Sequence, residues 1–284
     1  MKKTVYEIVT EQILKLMAQG VAPWRRPWKP GEEAINWFTE KPYRGINKLL
    51  TEPGGEYATW KQIHDAGGTV KPEERKNYNI IVFYTDYIKE VDEDTIEKFP
   101  VLRYYKVYNV NTQCTGLTSK RPITEKPNDT QHNPILEAER IINDFANAPE
   151  IVFKSGRAVY NSFFDRVSVP PLNDFDSPEE YYATLFHELV HSTGHKNRLN
   201  RKFGRKFADE QYSKEELIAE FGAAMLCGIA GIEQPVIENS AAYIDSWMKV
   251  LKNDSRLIVT AANAAQKAAD YIQNIKPNKD QIAV

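Results

Sequence analysis

Residues 187–191 read His-Glu-Leu-Val-His, a spacing that can hold a metal ion. Residues four apart on an α-helix project from the same face about one turn apart, so His187 and His191 can reach one tetrahedral metal. Glu188 can lie beside a water molecule at that metal and act as its general base. The pattern therefore predicts a metal-dependent hydrolytic site and favours peptide-bond hydrolysis.

Several glutamates could complete the metal site. A longer pattern with a third histidine requires that residue at position 197, which is Asn197 here. We predict Glu216 as the third ligand and Glu220 as an acceptor that holds an imidazole N–H. Ser213-x-x-Glu216 also matches a capping box, in which case Glu220 becomes the ligand, and Glu215 is a further alternative. Zn²⁺ is the expected ion, with Mn²⁺ or another divalent metal as the alternative.

Other features near this motif leave alternatives open. His-Glu-x-x-His also occurs by chance in helices, where the histidines are simply exposed or hydrogen-bonded. Tyr212, His195 and Arg198 are candidates for stabilising an oxyanion. Residues 167–171 could form an edge strand for an extended peptide or a plain core strand.

The periodicity predicts elements that would position the motif. Ser177 and Pro178 open the helix that carries it, and Asn133 and Pro134 open another. Strands are expected at 151–153, 158–161 and 167–169, and helices at 214–229, 241–251 and 255–275.

Earlier in the chain, residues 4–19 predict a helix with Thr4 as its N-cap. Residues 80–84 and 104–108 predict strands, with a solvated acidic excursion over 90–97 between them. The predicted fold class is α+β: an α+β domain over 1–122, a linker over 123–133, and a mainly helical domain with a small sheet over 134–284.

Composition excludes several classes of protein. The chain has 284 residues, of which 42% are hydrophobic and 27% charged, and a formal net charge of −2. This is typical of a soluble globular protein, and no apolar run reaches the roughly 18 to 20 residues of a membrane-spanning helix. Without such a run we expect no membrane partner. The two cysteines, Cys114 and Cys227, match no metal or disulfide framework, so we expect a cytoplasmic protein.

Aromatic and basic residues are interleaved near the start of the chain. Single-stranded DNA is held without sequence preference by cations on phosphates and by aromatic faces on bases. The candidate DNA-binding residues are Trp24, Arg25, Arg26, Trp28, Lys29, Tyr43, Arg44, Asn47, Lys48, Trp60 and Lys61. The alternative is that the tryptophans anchor the core and the charges form an ordinary wet surface.

Eight segments together resemble one known family. They are 20–28 (Gly-Val-Ala-Pro-Trp-Arg-Arg-Pro-Trp), 43–47 (Tyr-Arg-Gly-Ile-Asn), 60–62 (Trp-Lys-Gln), 105–110 (Tyr-Lys-Val-Tyr-Asn-Val), 181–191 (Tyr-Tyr-Ala-Thr-Leu-Phe-His-Glu-Leu-Val-His), 203–205 (Phe-Gly-Arg), 215–220 (Glu-Glu-Leu-Ile-Ala-Glu) and 242–247 (Ala-Tyr-Ile-Asp-Ser-Trp). The chain resembles the ArdC antirestriction proteins of conjugative plasmids and related mobile elements.

The resemblance implies a specific domain arrangement and role. It implies an N-terminal single-stranded-DNA-binding domain, similar to part of the TraC-type plasmid primases, and a C-terminal zincin-like metallopeptidase domain. It implies protection of incoming plasmid DNA from host restriction, with His187, His191 and a glutamate of 215–220 as metal ligands and Glu188 as catalytic base.

Two alternatives to this function remain. One is a metallopeptidase whose N-terminal domain recognises a protein substrate. The other is a DNA-coating protein whose metal site is structural or vestigial.

Overall fold

A computed structural model of the protein describes residues 3–20, 22–25, 31–90, 96–121, 133–203, 210–232 and 241–276. Its helices and small sheets form the α+β fold that the sequence predicts. Within the described ranges, no helix is both long and apolar enough to cross a membrane.

The N-terminal part combines a four-stranded sheet with mostly short helices. Its elements are α1 (Val5–Met17), β1 (Ile35–Asn36), α2 (Ile46–Leu50), β2 (Glu56–Thr59), α3 (Trp60–Asp65), β3 (Thr69–Val70), β4 (Asn79–Glu90), β5 (Ile96–Asn109), α4 (Val110–Gln113) and β6 (Cys114–Thr115). The sheet order is β1-β2-β5-β4; β1 is parallel to β2, and the other neighbours are antiparallel. Strands β3 and β6 form a separate antiparallel pair.

Local signals account for several of these elements. Thr4 caps α1 and forms a capping box with Glu7, which confirms the predicted cap. The strands predicted at 80–84 and 104–108 are confirmed but are longer than expected. The solvated excursion predicted over 90–97 is wrong in extent, because the ladder continues to the pair Glu90–Ile96. The β-branched and aromatic residues Thr85, Tyr87, Ile88, Phe99 and Val101 favour this extension. Residues 91–95 lie outside the described ranges.

The C-terminal part packs helices against a small sheet. Its elements are α5 (Pro134–Asp144), β7 (Glu150–Phe153), β8 (Val159–Asn161), β9 (Arg166–Val169), α6 (Pro178–Ser192), α7 (Glu210–Ala230), α8 (Ala241–Asn253) and α9 (Leu257–Ile272). The sheet order is β7-β9-β8. The edge-strand interpretation of 167–171 is therefore wrong, since β9 pairs with strands on both sides. Strand β8 is the edge strand that contacts α6.

One hydrophobic core runs through both parts of the chain. Trp24 is 1% exposed, and its ring centroid lies 4.9 Å from that of Phe221 in α7. Its Nε1 donates to the Tyr243 hydroxyl at 3.2 Å, and the Thr10 hydroxyl of α1 donates to the Ser255 carbonyl at 2.9 Å. The linker over 123–133 stays a prediction, because residues 122–132 lie outside the described ranges. The hydrophobic core contains residues from both sides of this segment.

Candidate metal centre and catalytic site

Helix α6 presents the two histidines of the motif to one cavity. Ser177 caps this helix by accepting the Glu180 backbone N–H, and Pro178 is its first residue, as predicted. Four apolar residues of α6 are buried, namely Leu185, Phe186, Leu189 and Val190. They fix the rotation of the helix so that the Nε2 atoms of His187 and His191 lie 3.1 Å apart.

Helix α7 brings Glu216 to the same point. One carboxylate oxygen lies 3.6 Å from the His187 Nε2, and the other lies 3.6 Å from the His191 Nε2. The capping alternative for Glu216 does not apply, because α7 begins at Glu210 and Ser213 lies inside it.

The three side chains fit a metal ion. Their ligand atoms lie within 4.8 Å of one another. Zinc–nitrogen bonds of about 2.0–2.1 Å in tetrahedral geometry place two nitrogens about 3.3 Å apart, close to the observed separation. Two imidazoles and one carboxylate are also the donor set of many catalytic zinc sites.

Glu215 makes the imidazole contact that the sequence assigns to Glu220. It is 5% exposed, and its Oε1 lies 3.4 Å from the His191 Nδ1. Arg201 holds the same carboxylate through its Nε at 3.0 Å and a terminal nitrogen at 2.6 Å. Burial raises the pKa of Glu215, but these hydrogen bonds outweigh it and lower the pKa overall, so the carboxylate stays charged.

The charge around His187 comes from three glutamates. Burial lowers the pKa of His187, while the hydrogen bond that Glu216 accepts from it and the charges of Glu188 and Glu220 raise it; the net effect is a raised pKa. Glu220 thus contributes to the electrostatic field at His187. The pKa of Glu216 is lowered, because the two histidines outweigh the effect of its burial.

Glu188 lines a cavity of about 250 Å³ with the three candidate ligands. It is 9% exposed, and its Oε2 accepts the backbone N–H of Tyr160 in β8 at 2.6 Å. The edge strand therefore fixes one oxygen of the predicted base, and Oε1 remains for proton transfer.

Of the three oxyanion candidates, only Tyr212 lines this cavity. Burial and the neighbouring Glu216 raise its pKa, so the hydroxyl keeps its proton and can donate a hydrogen bond. Arg198 is instead bound to Asp165 and donates to the backbone carbonyl of Ser192 at 2.7 Å. His195 is 8% exposed and also lies beside Asp165.

Sequence reasoning missed two arginines. Arg201 fixes Glu215, and Arg157 lines the cavity beside Tyr212. Neither belongs to a recognisable motif, so no local pattern could have identified them.

The predicted DNA-binding residues separate into buried and exposed groups. Trp24, Tyr43 and Asn47 are 1%, 4% and 1% exposed, respectively, so in this conformation they are core residues and offer no surface to DNA. The Asn47 side chain donates to the Val82 carbonyl at 2.8 Å and accepts the Val82 N–H at 2.8 Å. Trp60 is 44% exposed.

The basic candidates also differ from the expected exposed set. Arg44 pairs with Asp270 of α9. Burial lowers the pKa of Lys48. Lys61 is exposed and pairs with Asp65. Arg26, Trp28, Lys29 and the side chain of Arg25 lie outside the described part of the chain.

Comparisons with known proteins match both parts of the chain. Residues 137–264 match a family described as zincin-like metallopeptidase, and residues 3–108 match the N-terminal domain of anti-restriction factor ArdC. The crystal structure of antirestriction ArdC protein from the R388 plasmid, in its metal-free form, is 35% identical with a TM-score of 0.74, covering 95% of this chain and 97% of that one. The Mn(II)-bound structure is 33% identical with a TM-score of 0.73, covering 98% and 100%.

Relatives by sequence differ greatly in length. Two Escherichia coli proteins named DNA primase TraC are 32% and 31% identical over 95% of this chain, which spans only 20% and 27% of their lengths. The protein y4eC of Sinorhizobium fredii is 31% identical, covering 94% of this chain and 91% of its own.

Proposed function

Since this chain belongs to the ArdC family of antirestriction proteins, we propose that it protects the incoming DNA of a mobile element from restriction in the cytoplasm. It binds single-stranded DNA without sequence preference and cleaves peptide bonds with a divalent metal. The observation that carries the hydrolytic part is the convergence of His187, His191 and Glu216 on one cavity beside Glu188.

Zinc is the ion that we propose for the site. The two imidazoles and the Glu216 carboxylate would hold it and leave a position for water or substrate. When bound, zinc lowers the pKa of a water molecule to about 7 and polarises a carbonyl group. Manganese is the alternative, supported by the Mn(II)-bound structure of the R388 plasmid protein.

Glu188 moves the proton in the proposed reaction. Its carboxylate takes the proton of the attacking water and passes it to the amine nitrogen that leaves. The Tyr212 hydroxyl donates a hydrogen bond to the oxygen that gains negative charge. An extended polypeptide would lie along β8, whose outer edge is next to the cavity. A host protein is the proposed substrate class.

Replacing the base tests the hydrolytic proposal. The substitution Glu188→Gln retains an oxygen that can accept the Tyr160 N–H but removes the base, so metal content should be unchanged. Cleavage of recipient-cell proteins, read by mass spectrometry of new N-termini, should fall by about 10²–10⁴-fold. Plasmid transfer into a restricting recipient should fall as well, relative to a non-restricting one. Glu179→Gln, a half-buried position in the first turn of the same helix, is the matched control.

Each alternative function predicts a different result. Full protection by the Glu188→Gln variant, with metal still bound, would identify the metal site as structural or vestigial. Failure of the wild-type protein to bind single-stranded DNA, with cleavage intact, would support a metallopeptidase whose N-terminal part recognises a protein.

A further inference from the structure

Aromatic and basic side chains occupy one face of the β4–β5 hairpin. Tyr104 and Lys106 lie on the same face of β5, because residues two apart in a strand share a face. Tyr104 is 39% exposed, and Lys106 is also exposed. The Lys106 Nζ lies 4.0 Å from the ring centroid of Tyr78, which immediately precedes β4. A cation stacked on an aromatic ring is thus available at the surface.

The same face continues to Trp60 at the start of α3. The Trp60 ring lies 5.9 Å from that of Tyr108, which is two residues beyond Lys106 on β5. The Arg75 guanidinium lies 5.7 Å from the centroid of the Trp60 ring, and the Arg75 carbonyl accepts the Tyr108 hydroxyl at 3.1 Å. Trp60, Arg75, Tyr78, Tyr104 and Lys106 define a strip. From Tyr108 to Tyr104 the strand covers about 13 Å, at roughly 3.3 Å per residue.

The charges of this strip are available to an anionic ligand. Among the described residues, no carboxylate forms an ion pair with Arg75 or Lys106, whereas neighbouring Lys61 is paired with Asp65. Phosphates could therefore approach both cations without displacing an acidic side chain. Exposed aromatic faces beside the cations suit unpaired bases, which stack on such faces.

The opposite face of the same strand is less suited to DNA. Tyr105 is also 39% exposed, but its ring packs 6.2 Å from that of Phe83. Arg103 lies opposite Phe83 in the ladder and is exposed. This face therefore offers the same residue types without the repeated pairing of cation and aromatic ring.

We propose that single-stranded DNA binds across the strip, with bases stacked on Trp60 and Tyr104 and phosphates held by Arg75 and Lys106. This inference rests on the proposed DNA-binding function and gives it a location. Among these residues, only Trp60 is a DNA-binding candidate from the sequence. Tyr104 and Lys106 lie in the segment 104–108, for which the sequence predicts a strand, and tertiary packing brings Arg75 beside Trp60 and Tyr78 beside Lys106.

Matched substitutions on the two faces of β5 test the assignment. The probe is a fluorescein-labelled oligothymidylate of about 20 nucleotides, with binding read by anisotropy over a salt series. Trp60→Ala and Tyr104→Ala should each weaken binding by about 5- to 100-fold. Lys106→Ala should lower the slope of log affinity against log salt by about 0.7. The controls Tyr105→Ala and Arg103→Ala should bind as the wild type does.

The possible outcomes distinguish the proposed location of the DNA-binding strip from the DNA-binding function itself. If the wild type binds but the strip variants match the controls, or if only the controls lose affinity, the assigned face is wrong and DNA binding itself stands. Failure of the wild type to bind would refute the proposed function. A duplex of equal length that binds as tightly, with the same losses, would exclude base stacking. Lys106→Gln, checked by its melting curve, repeats the charge test with a polar side chain of similar length.

Discussion

Glu215 and Arg201 orient a metal-binding histidine: Glu215 contacts the His191 imidazole, and Arg201 holds Glu215. An ionised Glu215 accepts the Nδ1–H of His191, which leaves the lone pair of Nε2 directed to the metal position. Arg201 keeps Glu215 ionised despite its burial and also donates to the Val190 carbonyl at 2.8 Å and the Thr193 hydroxyl at 2.7 Å. The guanidinium therefore ties the ligand helix to its carboxylate partner.

Glu215→Gln should lower zinc affinity by about 10- to 100-fold, because the amide retains shape but loses the charge that orients the imidazole. Competition with a chromophoric chelator measures this affinity, and the melting temperature of the metal-free protein monitors folding. Glu220→Gln makes the same chemical change five residues further along α7 and should change affinity much less. A larger loss in the Glu220 variant would restore the role that the sequence assigned to it.

Tyr212→Phe removes the proposed oxyanion donor, a hydroxyl that also bonds to Glu216 and Arg157. We expect cleavage to fall by about 10- to 1,000-fold with zinc affinity nearly unchanged, because an oxyanion donor acts on the reacting carbonyl. The measurement is the rate of appearance of new N-termini beside the chelator competition. An equal loss of zinc affinity would instead indicate that the hydroxyl acts through Glu216.

At the scale of elements, the site depends on how closely α7 approaches α6. A Cβ built on Gly222 would lie 2.7 and 2.8 Å from the two methyl groups of Val190. A valine side chain is stiff and cannot move aside easily. Glycine at this point therefore permits the crossing that places Glu216 beside the two histidines.

Gly222→Ala should separate the two helices. We expect overpacking to cost about 1–3 kcal/mol, offset by about 1 kcal/mol from the better helix propensity of alanine. Zinc affinity should fall, because Glu216 moves with its helix. Urea unfolding and chelator competition measure the two effects. The double variant with Val190→Ala should recover zinc affinity, and no recovery would mean that this contact does not set the crossing.

The position of a residue on a helix face follows from the sequence, but the crossing of two helices does not. The spacing of His187 and His191 determines that they share a face, and this is what the structure has. Which glutamate meets them depends on the rotation and approach of α7. Glu216 lies where the sequence predicts the third ligand, but Glu215 makes the imidazole contact predicted for Glu220. Likewise, Trp24 and Trp60 look alike in sequence, and only tertiary packing makes one a core residue and the other a surface residue.

The buried carboxylate of Glu56 in β2 binds residues 119 and 120, which follow the last strand of the N-terminal part. Glu56 of β2 is fully buried and accepts hydrogen bonds from the Ser119 hydroxyl, the Lys120 N–H at 2.9 Å and Asn111 at 3.3 Å. Burial raises the pKa of Glu56, but these donors outweigh it, and the pKa falls below its ordinary value of 4.5.

This lowered pKa predicts a pH dependence of stability. A carboxyl group whose pKa is lowered by folding stabilises the native state above its unfolded pKa, and the contribution is lost as pH falls through the lower folded value. Glu56→Gln should therefore destabilise the protein by about 1–3 kcal/mol at pH 7. The difference from wild type should shrink below pH 4.5. Urea unfolding at several pH values measures it, and a constant difference would contradict the assignment.

At the scale of the whole molecule, contacts between the two parts are polar as well as apolar. Arg44 forms an ion pair with Asp270, whose side chain is 7% exposed. Gln266 donates to Asp270 at 3.1 Å and accepts the backbone N–H of Gly45 at 3.1 Å. Removal of either partner by mutation would leave the other charge uncompensated, so such a substitution should destabilise the contact between the two parts. The metal centre and the proposed DNA-binding strip are thus linked by a common packed framework.

Trp24→Ala should destabilise both parts together, by about 3–5 kcal/mol, because the indole fills the core that they share. Hydrogen exchange read by mass spectrometry can follow peptides of β5 and α9 separately, and protection should fall in both. Trp60→Ala is the matched control; its exposed ring predicts a cost of less than about 1 kcal/mol. Loss of protection in α9 with β5 unchanged would mean that the two parts unfold independently. In that case, zinc bound at the metal centre should stabilise only the C-terminal part.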